Sequence, residues 1–249
     1  MTRRPNLIRP LVLLALLGAA ATAGCSAWKM REAGRLARDS EPFQAQPASA
    51  VASLLVVGDS TAVGTGASDP TRSVAGLLAA DLPKLRVVNR ATDGARYEDI
   101  VRQLQADTSR FDAVLVPGGG NDVIRNTGTS ELTAQVRQAA DLAKQIAPFV
   151  VMMPPGNVGN APFFWRPLAW WMDRRSQMLH TAVRQAAQAT GATYVNLYKP
   201  RAEDPFAQRP RELHARDGLH PSDAGYALWV KELEAGSGLK GKLGKARGA

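Results

Sequence analysis

The chain has one cysteine, three histidines and few aromatic residues, 6% of its 249 positions. With Cys25 alone, no disulfide can form within the chain. No grouping of histidines with acids has the spacing of a metal site, so neither a metal nor an organic cofactor is expected. No internal repeat occurs. The longest early apolar run, Leu11 to Leu17, falls short of the ~20 residues a membrane-spanning helix needs.

The formal charge of +9 is concentrated at the two ends. Arg3, Arg4 and Arg9 lie near the amino terminus, and Lys240, Lys242, Lys245 and Arg247 follow Glu234. Removing those seven leaves 24 basic against 22 acidic residues in the body. That balance removes most of the case for a nucleic-acid-binding domain, and neither a recognition motif nor a basic stripe interleaved with aromatics is present, so no nucleic-acid partner is expected.

What is present at the amino end has the three-part layout of an export signal: arginines, an apolar run, then the small residues Ala19 to Gly24. Ala23-Gly24-Cys25 resembles the lipobox of bacterial lipoproteins, which implies cleavage after residue 24 and a lipid on Cys25. Ser26 then looks like an outer-membrane address in a Gram-negative cell. The plainer alternative is an ordinary signal peptide with an incidental cysteine. Residues 25–53, with Pro42 and Pro47 among Gln, Ala and Ser, read as a tether with a short helix across Trp28 to Arg38. Residues 236–249, rich in Gly and Lys, read as a disordered basic tail.

Between them, residues 54–235 form one globular domain of alternating strands and helices. Apolar runs at Leu54 to Val57, Arg86 to Asn89, Ala113 to Pro117, Phe149 to Met153 and Ala192 to Leu197 predict five strands. Helical periodicity follows Asp69-Pro70 and recurs over Tyr97 to Ala106, Ser130 to Ala147, Trp165 to Gly191 and Ser222 to Leu233. Such alternation favours parallel strands with right-handed helical crossovers, hence a three-layer α/β/α sandwich around a flavodoxin-like five-stranded parallel sheet.

Three polar blocks fall where such a sheet binds ligands, beyond the carboxyl ends of its strands or in a late loop. They are Gly58-Asp59-Ser60, Gly119-Gly120-Asn121-Asp122 and Asp217-Gly218-Leu219-His220-Pro221. They supply a nucleophile, a base, an acid to orient it and an amide for a developing oxyanion, the set acyl transfer requires. Gly58-Asp59-Ser60-Thr61-Ala62 lacks the second glycine of the G-x-S-x-G elbow. With Gly94 as a further block, the chain instead resembles the SGNH hydrolases, or GDSL-type lipases and esterases, over roughly Leu54 to Leu233.

That resemblance implies Ser60 as nucleophile, His220 as general base and Asp217 as its carboxylate partner, with the Ser60 and Gly94 N–H groups and the Asn121 amide as oxyanion donors. His214 competes as base but has Arg211 three residues before it, and His180 falls within a helix. Asp59 and Asp122 are read as loop hydrogen bonders. The implied activity is a serine esterase of short-chain acyl esters or lysophospholipid-like lipids. Deacetylation or acyl transfer on envelope or environmental polysaccharide uses the same residues, and a non-catalytic envelope-binding lipoprotein is the alternative of another class. The expected partners are thus an ester substrate and, through Cys25, a membrane. The segment Phe163 to Met172, holding three of the five tryptophans, can line an acyl pocket, meet a membrane interface or pack as core.

Overall fold

A computed structural model describes residues 8–106 and 109–245. Arg3 and Arg4 of the export signal and Arg247 of the basic tail lie outside the described residues. Five parallel strands, β1 (Ala52–Val56), β2 (Leu85–Asn89), β3 (Ala113–Pro117), β4 (Phe149–Met153) and β5 (Thr193–Tyr194), form one sheet in the order β2-β1-β3-β4-β5. The helices in chain order are α1 (Ile8–Asp39), α2 (Ser60–Val63), α3 (Val74–Asp81), α4 (Tyr97–Gln105), α5 (Gly120–Ile124) and α6 (Thr129–Ile146). They continue with α7 (Leu168–Thr190), α8 (Pro205–Gln208), α9 (Pro210–Leu213), α10 (Asp223–Ser237) and α11 (Leu239–Lys245).

The strands read as unbroken apolar runs because both sheet faces are covered. Side chains alternate between two cores: Leu55, Val57, Val114, Val116, Val150 and Met152 pack with α4, α6 and α7. Leu54, Val56, Ala113, Leu115, Val151 and Met153 pack with α3, α10 and α11. This is the three-layer architecture expected, and its strand order reverses between β1 and β3, where a ligand crevice opens. The fifth strand is shorter than the predicted Ala192 to Leu197. It lies at the sheet edge with β4 as its single neighbour, and one further bond, Val195 N–H to the Met152 carbonyl (3.0 Å), ends the pairing.

The helix expected over Trp28 to Arg38 is present as part of the longer α1, which also spans Cys25. Among the described residues no helix is long and apolar enough to cross a membrane. The chain beyond α1 is no free tether: Ala45 exchanges both backbone hydrogen bonds with Val87 (3.1 and 2.8 Å), and the Gln44 amide brackets the Asn89 backbone (2.7 and 3.0 Å). A short antiparallel segment thus covers the open edge of β2. Nor is the described part of the tail disordered, since α11 buries Leu239 and Leu243, four residues apart on one helical face, against the second core.

Candidate active site

β1 and β3 deliver two of the three blocks side by side, and the local sequence explains how. A Cβ at Gly58 would stand 1.9 Å from the Pro117 carbonyl oxygen, so a glycine here lets the two strand ends close on each other. Asp59 then caps α2, its Oδ1 accepting from the Thr61 N–H (2.9 Å) and hydroxyl (2.7 Å), which places Ser60 in the first turn with its side chain over the crevice. The other carboxylate oxygen of Asp59 accepts from the N–H groups of Gly119 (3.0 Å) and Gly120 (3.1 Å), locking the Ser60 turn to the loop that carries Asn121. Burial pushes the Asp59 carboxyl above its ordinary pKa in spite of these donors.

Asp122 performs the second tie. Its carboxylate accepts from the Tyr97 N–H and the Thr127 hydroxyl, both at 2.9 Å, joining α5 to the start of α4 just beyond Gly94. Burial raises this carboxyl to a pKa of about 6. Asp59 and Asp122 are the loop hydrogen bonders expected, and their bonds also reach across to other loops, holding three of them in fixed relation. Asn121 lies inside the single-turn helix α5, which Gly119 caps from the left-handed region.

The third block sits in the loop before α10. His214 and Pro221 bridge across it, the Ala215 N–H donates to the His220 carbonyl (2.8 Å), and Ser222 caps α10, so His220 is fixed from both sides. His220 Nε2 lies 2.9 Å from Ser60 Oγ and its Nδ1 lies 2.6 Å from Asp217 Oδ2. Asp217 Oδ1 also accepts from the N–H groups of Leu219 (2.9 Å) and His220 (3.1 Å). Burial alone would raise the Asp217 pKa; the hydrogen bond and charge of His220, with the two backbone donors, outweigh it and hold the carboxyl below its ordinary value. The Asp217 carboxylate therefore accepts a hydrogen bond from the Nδ1–H of His220, leaving Nε2 to accept from the Ser60 hydroxyl.

Ser60, Gly94, Asn121 and His220 all line one cavity of about 430 Å³. Among the described residues, no hydrogen bond occupies the N–H of Ser60, the N–H of Gly94 or the Asn121 side-chain amide. Gly94 adopts φ +76°, a conformation that a side chain disfavours. The other two histidines stand apart from Ser60. His214 accepts no proton from it and instead lies 3.3 Å from the Pro210 carbonyl, and burial lowers its pKa to about 4. His180 is held between the Tyr194 hydroxyl and the Pro155 carbonyl (2.7 Å each), with burial again lowering it to about 4.

The aromatic segment divides three ways. Phe163 lines the cavity, Met172 is core, and Trp165, Trp170 and Trp171 are 60, 57 and 45% exposed. Residues read as tether also reach the cavity: Ala33, Gly34 and Ala37 of α1 form part of its lining. Their signal in the sequence is weak, because small side chains carry no hydrophobic periodicity.

Residues 56–228 match the model of a family described as GDSL-like lipase/acylhydrolase. No curated protein matches the chain. Among solved structures it is similar to LAE5, an α/β hydrolase from the metagenome of Lake Arreo, Spain, at 21% identity and a TM-score of 0.60, covering 78% of this chain and 97% of that one. It is also similar to TesA (20% identity, TM-score 0.59, 74% and 96% covered). Axe2, an acetylxylan esterase from Geobacillus stearothermophilus, matches at 24% identity and a TM-score of 0.54, with 75% and 94% covered. These likenesses concern the fold.

Proposed function

Because the chain belongs to the GDSL-like lipase/acylhydrolase family and is a serine hydrolase of ester bonds, we propose that Ser60 carries its chemistry and that its substrates are esters with acyl chains longer than acetyl. Ser60 Oγ attacks the ester carbonyl as its proton passes to His220 Nε2, and Asp217 stabilises the imidazolium. The oxyanion that forms is received by the N–H groups of Ser60 and Gly94 and by the Asn121 amide. Collapse expels the alcohol, which takes the proton from His220, and leaves an acyl group on Ser60. Water, deprotonated by His220, releases the acid by the same steps.

The observation that carries the acyl-chain reading is the cavity. Besides the polar groups at Ser60, and with Arg125, Asn157 and Asp204 as further polar lining, it is walled by Ile124, Val158, Ala161, Phe163 and Leu197, an apolar surface that rewards methylenes and has no further role with an acetyl group. Release of p-nitrophenol from acetate, butyrate and octanoate esters by the full-length protein tests this. Rising kcat/KM from acetate to octanoate is expected, and turnover confined to acetate would replace this reading with deacetylation of a glycan.

The proposed setting is the cell envelope, with Cys25 lipidated. Cys25 is exposed and unpaired, and α1 carries exposed Trp28 and Met30 close to it, residues suited to a lipid interface. Metabolic labelling with palmitate should mark the wild-type protein and not Cys25→Ser; equal labelling of both would dismiss the anchor.

A further inference from the structure

We propose that α1 is a wall of the acyl-binding cavity and that Ala33, Gly34 and Ala37 set the length of chain it accepts. The inference rests on the acyl-chain reading above and adds to it residues that lie outside the matched family region, 56–228. All three line the cavity that holds Ser60 and His220. Positions 33 and 37 are one helical turn apart and 34 lies beside them, so a single face of α1 meets the cavity. That face is partly buried, while Arg31, Arg35 and Arg38 are exposed. Lys29 Nζ donates to the Pro162 carbonyl and so ties α1 to the segment that supplies Ala161 and Phe163 to the same lining.

The side chains on this face are what make the wall permissive. Ala33 and Ala37 each contribute one methyl group and Gly34 none, so the space beside the helix is left for a ligand. Glycine is disfavoured within a helix relative to alanine. A Cβ at Gly34 would meet no neighbour except Arg38 Nη1, at 3.5 Å, so the helix's packing does not require glycine there. The open volume at the cavity wall is the remaining consequence of that residue. In this reading, bulk added on this face takes up cavity space that an acyl chain would fill, while the hydrogen bonds among Ser60, His220 and Asp217 involve no residue of α1.

The test compares full-length wild type with Ala37→Phe, Gly34→Leu and, as a control, Arg31→Phe, which adds the same ring to the exposed face. The quantity read is the ratio of kcat/KM on p-nitrophenyl octanoate to that on acetate, which within one preparation cancels any loss of folded protein. Ala37→Phe and Gly34→Leu should lower this ratio about tenfold or more, with acetate turnover per folded molecule nearly unchanged, since a mismatch of a methylene or more in an apolar pocket is worth about that factor. Arg31→Phe should keep the wild-type ratio. If wild type cleaves octanoate and both cavity-face variants keep its ratio, or lose both substrates alike, the wall assignment is wrong and the acyl-chain reading stands. If wild type cleaves acetate alone, both fall together.

Discussion

Ser60→Ala lowers kcat on p-nitrophenyl esters by about 10⁵-fold or more, and adding His220→Ala or Asp217→Ala lowers it almost no further. The expectation follows from the geometry of three groups that act on one proton. His220 Nε2, 2.9 Å from Ser60 Oγ, serves no purpose once that oxygen is gone, and Asp217, 2.6 Å from Nδ1, acts through His220 alone. Losses in such a unit are grossly non-additive. Asp217→Ala by itself should still be severe, because without the buried carboxylate the proton can settle on Nε2 and close the acceptor that faces Ser60. Residual turnover in every variant that lacks Ser60 or His220 should converge on one floor, supplied by the oxyanion donors and the cavity, with Asp217→Ala alone remaining above it. Single, double and triple variants assayed on one ester, with phosphonate labelling to count intact nucleophiles, give the measurement. Losses that multiply independently, or a Ser60→Ala protein that remains active, would move the nucleophile elsewhere.

The parts of this site that were legible in the sequence are those where backbone and chemistry constrain the residue type together. Gly58 must lack a Cβ because β1 and β3 converge there, and a serine follows because the capped turn of α2 points it into the crevice. Strands such as Ala113 to Pro117 and Phe149 to Met153 were legible because burial on both faces leaves no polar position to blur them. In residues 25–53 the helix over Trp28 to Arg38 was legible, but not what it meets, for the opposite reason. The face of α1 that lines the cavity carries only Ala33, Gly34 and Ala37, and the segment at Ala45 is held by backbone hydrogen bonds that leave no side-chain signature. The tail hid its helix because two leucines among lysines are enough to bury one face of seven residues, while the composition reads as solvated. Asp59 and Asp122 were visible as residues and not as ties, since the donors they bind at Gly119, Gly120 and Tyr97 are distant in the chain and belong to the backbone.

Those two carboxylates bear on the second large effect, at Asn121. Asn121→Ala should lower kcat by about 10²–10³-fold with KM little changed, the loss typical of removing one oxyanion donor. Asn121 is the clearest probe of the three proposed donors, because the other two are backbone N–H groups that no side-chain change deletes. The α5 turn that holds it is fixed by Asp59 on the N–H groups of Gly119 and Gly120 and by Asp122 on Thr127 and Tyr97, and no hydrogen bond of the Asn121 amide contributes to that fixation. Truncation therefore removes a donor and leaves its platform standing, so thermal stability should be nearly that of wild type. The distribution of the loss between kcat and KM carries the meaning. An amide aimed at the charge that develops in the transition state acts on kcat, whereas one that merely holds the ground-state carbonyl acts on KM. Asn121→Asp sharpens the contrast, since a carboxylate of the same shape would face the oxyanion with like charge and should fall below Asn121→Ala. If Asn121→Asp were instead the more active of the two, packing and not donation would be what residue 121 supplies, and the oxyanion would rest on Ser60 and Gly94 alone.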